Sequence, residues 1–300
     1  MENFYLIFLY ILSGVVLKAL GILPADSSHV LNRYVLYIAM PALILQKIPL
    51  LAFSADLLIP AVTPWLLLVV VVLLVLLASR LFGFSRETTG ALLIILPLGN
   101  TSFIGFPMVE ALFGETAMPY ALVYDQLGSF IALATYTTII AALYSPQVKA
   151  PTVRSVLVKV LTFPSFIALF TGLLLHGYQY PSLAQNMIDS FAATLVPVVM
   201  VAVGCSLSIK FSKEELKPLL FGVTTKLIVM PLLVWGLWTA AGQSGLAVTI
   251  TIFQAAMPPM ISAGAVAVMA GLSPRLSSGL IGIGILCGFI SLPVVYELLI

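Results

Sequence analysis

What most constrains this chain is a succession of apolar runs, each about as long as a bilayer is thick. A hydrocarbon core of about 30 Å takes about 20 residues of helix. Windows on that scale fall at 3–23, 30–48, 57–82, 88–113, 117–144, 159–177, 185–208, 216–241, 245–271 and 276–299. Soluble domains carry roughly a quarter charged residues, whereas here 8% are charged and 61% are hydrophobic. Water-facing surface on that scale cannot hide so much apolar side chain, so lipid is the expected solvent. The fold class predicted is an all-α integral membrane protein with ten spans. Met1-Glu2-Asn3 enters the first window without the basic stretch or small-residue cleavage site of a signal peptide, so that window is read as a span. Turn chemistry separates the windows at Pro24-Ala25-Asp26-Ser27-Ser28, Phe84-Ser85-Arg86, Ser145-Pro146-Gln147, Phe211-Ser212-Lys213 and Leu272-Ser273-Pro274. Ser28 or Asp26 is placed to cap the second helix, and Ser212 with Glu215 resembles a capping box.

The basic residues are asymmetric. Lys18, Arg33, Arg80, Arg86, Lys149, Arg154, Lys159, Lys210, Lys213, Lys217 and Arg275 all lie at or near loops leading from an odd to an even span, eleven of thirteen Lys and Arg. Lys47 lies on the other side, and Lys226 lies inside the eighth window. Asp56, Glu110, Glu115 and Glu297 gather towards the opposite face. By the positive-inside rule the basic loops are cytoplasmic and both termini are outside. No basic arm or patch suggests a nucleic acid. Cys205 and Cys287 have no pairing or metal spacing, so neither metal nor cofactor is expected.

The chain also repeats itself. Ser13-Gly14-Val15-Val16-Leu17-Lys18 recurs as Thr171-Gly172-Leu173-Leu174-Leu175-His176, an offset of 158; Pro24 pairs with Pro181, Pro41 with Pro197, and Gly99-Asn100 with Met257-Pro258, at offsets of 156 to 158. Each half holds five spans, an odd number, so the second half enters the membrane inverted. The expected organisation is a first repeat over 1–144, a cytoplasmic linker over 145–158 and an inverted second repeat over 159–300.

The fourth and ninth spans are interrupted at corresponding places. The fourth contains Pro97, Gly99, Asn100, Thr101, Ser102, Gly105 and Pro107; the ninth contains Met257, Pro258, Pro259 and Ser262. Proline removes an N–H and clashes with the carbonyl one turn back, so two in succession break a helix. Broken backbone at membrane depth is tolerated only inside protein or along a water-filled cavity. Matched breaks in two halves point to a transporter's binding site. Half-helix N-termini present unpaired N–H groups and partial positive charge, which favours an anion such as a carboxylate. Gly99, Asn100, Thr101, Ser102, Met257, Pro258, Pro259 and Ser262 are the candidate substrate contacts. Pro41 and Pro197, with Pro97, Gly105 and Pro107, are candidate helix breaks. The structural alternative is a pair of kinked helices with small residues at a packing contact.

Ionisable residues inside spans are costly and mark function. Asp125 sits about two turns into the fifth span and Lys226 near the middle of the eighth. They are candidates for ion coupling or charge balance, Asp125 for a proton because burial raises a carboxyl pKa; a structural ion pair is the alternative. Asp189 lies near the end of the seventh span and reads as solvated or capping. Gln46 and Gln254 are weaker polar candidates. Tyr124-Asp125 and Pro41-Ala42-Leu43 superficially match intramembrane aspartyl proteases, but in the wrong order, and Asp189 lacks flanking glycines; no enzyme is predicted.

Gly99-Asn100-Thr101-Ser102-Phe103-Ile104-Gly105-Phe106-Pro107 resembles the fourth-helix motif of the auxin efflux carrier family. Ala256-Met257-Pro258-Pro259 is similar to that family's ninth-helix crossover. Tyr37-Ile38-Ala39-Met40-Pro41-Ala42-Leu43 resembles its second helix, and Val196-Pro197 with Val203-Gly204-Cys205-Ser206-Leu207 its seventh. The resemblance covers essentially the whole chain. It implies the bile-acid/sodium symporter fold, with spans 1, 2, 6 and 7 as scaffold and 3–5 with 8–10 as a mobile transport domain. It further implies an elevator-type carrier of small organic anions such as malonate or malate, a homodimer, in a bacterial inner membrane. Plant members place an asparagine between prolines where this chain has Met257-Pro258-Pro259, and the long loop of many plant members is absent, which argues against indole-acetate. Proton coupling is expected, with sodium coupling, a passive channel or a receptor on the same fold as alternatives.

Overall fold

The computed structural model of the protein describes residues 2–24, 26–51, 53–148, 151–207 and 212–300. Lys149 and Lys210 of the basic loops, with Met1, Ala25 and Phe211, lie outside the described residues. The described chain is predominantly helical: α1 (Glu2–Ala19), α2 (Ser27–Leu50), α3 (Ala55–Phe82), α4 (Arg86–Ile95), α5 (Thr101–Phe113), α6 (Glu115–Tyr144), α7 (Val153–Leu161), α8 (Pro164–Leu174), α9 (Ser182–Ser206), α10 (Leu216–Ala240), α11 (Leu246–Ala255), α12 (Ile261–Met269) and α13 (Pro274–Leu299).

Six of these, α2, α3, α6, α9, α10 and α13, are long and apolar enough to cross a membrane. The pair α7–α8 makes a seventh if counted as one span bent by 62°. That bend was not anticipated from the sequence. Its cause is Pro164, which forces Phe163 out of helical geometry (ψ 130°). Membrane solvation shows in α3, which is apolar all round: Leu67, Val71, Val75 and Ala78 are buried while Leu66, Val69, Leu73, Leu77 and Leu81 are exposed. A helix apolar on every face needs lipid on the side that protein leaves bare.

Two local rules shape the helices. Ser85 caps α4 by accepting a bond from the Thr88 N–H, and Glu215 accepts from the Ser212 N–H at 2.8 Å, the reciprocal half of the expected capping box. Asp26 occupies the N-cap of α2 without a side-chain cap bond. Widened π turns occupy Val35–Ala39, Thr101–Gly105, Asp125–Ser129 and Thr225–Val229. Three of the four end two residues before a proline, at Pro41, Pro107 and Pro231. A wider turn gives the proline ring room beside the carbonyl one turn back and removes the demand for its missing N–H. The helix therefore runs on through Pro41, Gly105 and Pro107 instead of stopping. Pro197 follows a single-residue turn at Thr194.

The chain packs as two compact units: Met1–Ser54, Ser102–Leu122 and Val158–Leu207 form the first, and Ala55–Thr101, Val123–Leu157 and Ser208–Ile300 the second. In the first, α1 lies along α9 with backbones almost touching. A methyl group on Gly14 would overlap the Val201 carbonyl, and one on Gly204 would overlap that of Ile11. The Cys205 thiol donates to the Gly14 carbonyl (3.3 Å), and Lys18 donates to the Cys205 carbonyl. At the unit's other helix ends, the Gly177 N–H donates to the Pro49 carbonyl (3.0 Å) and Lys47 pairs with Glu115 (3.1 Å). Asp189 is part-buried and accepts from Gln46 (2.7 Å) and Gln185 (2.8 Å), so it is neither a cap nor freely solvated.

In the second unit, Arg86 donates to the Leu143 and Tyr144 carbonyls, and the Thr88 and Ser273 hydroxyls are 3.1 Å apart. These bonds tie the start of α4 to the end of α6 and to the turn before α13. The core of this unit lies along α4 and α11: every residue from Thr89 to Thr101 and from Ile250 to Met260 is buried.

Candidate functional site at the crossing of two broken helices

α4 stops at Ile95, just before Pro97, and α11 stops at Ala255, just before the Pro258-Pro259 pair. The extended stretches that follow cross and pair as two short antiparallel segments with Gly99 opposite Pro259. The Asn100 N–H donates to the Pro258 carbonyl (2.8 Å), and the Met260 N–H donates to the Leu98 carbonyl (3.1 Å). Each break thus supplies the partner that the other's backbone lacks, which is how non-helical chain survives at membrane depth. The prolines have no N–H to offer, and Pro258 contributes only its carbonyl to this pairing. Pro258 and Pro259 rest against Gly288 and Gly284 of α13; a Cβ on Gly284 would overlap the Pro259 ring, and one on Gly288 would crowd that of Pro258.

The chain resumes helix at Thr101 and at Ile261, so two half-helices begin beside the crossing and two end there. Asn100 and Thr101 are buried, 2% and 0% exposed. The Thr101 hydroxyl donates to Asp125 Oδ1 (2.6 Å), and Gln126 Nε2 donates to Asp125 Oδ2 (2.8 Å). From α11, Gln254 Nε2 donates to the Thr101 carbonyl (3.3 Å). Asp125 and Thr101 both belong to π turns, which recur at functional sites because they re-aim side chains.

Lys226, also in a π turn, is 1% exposed. Its ammonium donates to the Ala255 carbonyl and to Met230 Sδ, both at 3.4 Å. It therefore sits at the carbonyl end of α11, where the helix dipole favours a cation. It also reaches the crossing itself: a Cβ built on Gly99 would lie 3.2 Å from Lys226 Nζ and 3.3 Å from the Met257 side chain. Glycine at position 99 is what lets the amine approach the backbone so closely.

Polar atoms are left over here. Among the described residues, buried side-chain atoms with no partner are Asn32 Oδ1, Ser165 Oγ, Asn100 Nδ2, Gln126 Oε1 and Gln254 Oε1. Three of those five belong to the group around Thr101. A buried polar atom without a partner costs about 1–3 kcal/mol, so such a cluster calls for a ligand or water.

The second unit therefore brings together Gly99, Asn100, Thr101, Asp125, Lys226, Met257, Pro258 and Pro259. Ser262 lies in the first turn of α12, part-exposed, and Ser102 belongs to the first unit. The sequence carries no signal for Gln126 and only a weak one for Gln254. A glutamine in an apolar run carries no spacing signal, and only the fold shows that both attach to Thr101 and Asp125. No group of three or more His, Cys, Asp or Glu able to hold a metal occurs among the described residues.

Apolar helices on this scale with a buried polar crossing define a multi-pass membrane transporter. The sequence model of a family described as "Membrane transport protein" matches residues 1–296. The chain belongs to that family, the auxin efflux carriers its motifs resemble. It is similar to an uncharacterized transporter of Methanothermobacter thermautotrophicus, 24% identical over 301 residues, covering 97% of this chain and 96% of the relative. It is also similar to an uncharacterized transporter of Methanocaldococcus jannaschii, 27% identical over 269 residues, covering 86% and 85% of the two chains.

Proposed function

We propose that the protein is a secondary carrier of a small organic anion, a carboxylate on the scale of malonate or malate, which it binds at the crossing. The observation that carries this reading is the pairing of Asn100 with Pro258 and of Met260 with Leu98, deep in a unit whose crossing residues are buried. Two half-helix N-termini start beside it, the Asn100 amide has an N–H to donate, and the Lys226 ammonium brings positive charge against Gly99. Each favours a carboxylate. Substrate contact would centre on Gly99, Asn100, Thr101 and the Met257-Pro258-Pro259 backbone, with Ser262 at its margin.

In this reading the chain has ten spans in two inverted five-span halves, with both termini outside. The loop contacts favour it. Bonds from Arg86 and Thr88 bring the turns after the third, fifth and ninth predicted spans to one end of the second unit. Within the first unit, Lys47–Glu115 and Gly177–Pro49 bring the turns after the second, fourth and sixth together. Alternating spans require both groupings. A scaffold of spans 1, 2, 6 and 7 and a moving domain of spans 3–5 and 8–10 draws support from the division into units, which keeps the scaffold spans in the first unit, spans 3 and 8–10 in the second, and parts of spans 4 and 5 in each. The carrier in this reading is an elevator and a homodimer in a bacterial inner membrane. Asp125, bonded to Thr101 beside the crossing, is the proposed proton-coupling group; sodium held by the carbonyls of the breaks is the competing ion.

Uptake of labelled malonate and malate into proteoliposomes, with an inward proton or sodium gradient, tests this. Saturable uptake driven by the proton gradient, with the drive lost in Asp125→Asn, is expected. Uptake indifferent to protons but driven by sodium would transfer the coupling to the carbonyls. Flux that neither saturates nor shows counterflow would contradict a carrier.

A further inference from the structure

Building on the anion reading of the crossing, the unpartnered atoms there constrain what the anion must carry. The assignment of the two glutamine amides is fixed by their neighbours. Gln254 points its NH2 at the Thr101 carbonyl and Gln126 points its NH2 at the Asp125 carboxylate. Turning Gln254 round would set oxygen against the Thr101 carbonyl, and turning Gln126 round would set oxygen against the ionised Asp125 carboxylate, so with Asp125 ionised each side-chain carbonyl faces away from its partner as an acceptor. Gln254 is 0% and Gln126 1% exposed, and neither Oε1 meets a donor among the described residues. Both belong to one bonded group, Gln254–Thr101–Asp125–Gln126, adjoining Asn100 in the chain. The group thus holds one idle donor, Asn100 Nδ2, and two idle acceptors.

A plain carboxylate is acceptor-only. It satisfies Asn100 and the Lys226 ammonium but leaves both glutamine carbonyls as they were. We propose that Gln254 and Gln126 are specificity-determining residues, whose side-chain carbonyls accept hydrogen bonds from hydroxyl groups on the transported anion. The protein then selects hydroxy-substituted carboxylates over unsubstituted ones of equal charge and length. An amino-substituted anion also carries donors, but burying its ammonium costs far more than burying a hydroxyl. That ammonium would meet the Asp125 carboxylate beside Gln126 and the like charge of Lys226 against Gly99, whereas a hydroxyl donates without charge and is the substituent the site fits.

The test is equilibrium binding to the purified full-length protein of four-carbon dicarboxylates that differ only in substituent: succinate, malate, tartrate and aspartate. Malate should bind about tenfold more tightly than succinate, the worth of one hydrogen bond to a buried acceptor. Tartrate should bind at least as well as malate, and aspartate more weakly. In Gln254→Met and Gln126→Met the malate-to-succinate ratio should fall towards one. The ratio within one variant is unaffected by any loss of folded protein, so poor folding cannot imitate this result. Equal binding of malate and succinate, both weakened by Asn100→Ala, would overturn selection by the glutamines while leaving the anion site standing. A wild-type preference undiminished in both methionine variants would overturn the assignment to these residues. Failure of all four probes to bind folded protein would overturn the anion reading and this inference together.

Discussion

The seam between α1 and α9 and the crossing beside Thr101 are both places where backbone meets backbone, yet they are built on opposite terms. At the seam, Gly14 and Gly204 remove side chains so that helices touch, and the thiol of Cys205 and the amine of Lys18 take up the carbonyls within reach. At the crossing, glycine and proline remove regular hydrogen bonding, cross-pairing restores part of it, and three buried side-chain atoms stay idle. A contact that serves only stability satisfies its polar groups and fills its space. One that keeps unmet donors and acceptors in a buried setting gives up stability for recognition. Small residues therefore have two meanings in this chain, and the sequence alone does not separate them.

The comparison is broken most forcefully at the seam. Gly204→Leu should destabilise the protein by about 3 kcal/mol, because the new side chain meets backbone that cannot yield. A lowered thermal midpoint and reduced yield of folded protein are the readouts. Any surviving folded fraction should keep its ligand affinity, since nothing at the seam is asked to bind. If Gly204→Leu left the midpoint unchanged, the seam would not be the packing contact described.

A smaller and opposite effect sharpens the other side of the comparison. Lys226→Met removes a buried cation whose two bonds are long, and filling its volume with an apolar chain should leave the thermal midpoint within a few degrees or raise it. Anion affinity should nevertheless fall about tenfold or more, because a desolvated charge beside the ligand is lost. A variant that unfolds while its residual affinity is intact would show Lys226 to be structural.

Much of this fold was legible because lipid imposes one simple rule, and helix occurs in each of the ten apolar windows. The break at Pro258-Pro259 was legible because paired prolines leave a helix no alternative, and that at Pro97 because Gly99 and the polar run from Asn100 follow it at once. Prolines standing alone in apolar runs were not. Pro41 and Pro107 promised breaks, but one widened turn absorbs each, whereas Pro164 bends its span by 62°. The difference lies in whether the preceding residues can form a π turn, a tertiary matter that proline itself does not announce. Asn100, Asp125 and Lys226 stood out as polar residues in apolar runs. That Gln126 and Gln254 join them required the fold: Gln126 bonds its neighbour Asp125, whose partner Thr101 lies 24 residues away, and Gln254 bonds Thr101 across 153 residues, separations that leave no local pattern.

The account rests on the crossing as the place where the anion is held, and Asn100→Ala tests that most directly. Uptake of labelled malate into proteoliposomes would be measured for wild type and variant, each verified as folded by its thermal midpoint. The account predicts a variant that folds normally and whose apparent affinity drops about tenfold to a hundredfold, the cost of one charge-assisted hydrogen bond in a buried site. A folded Asn100→Ala protein that carries malate with wild-type kinetics would contradict it.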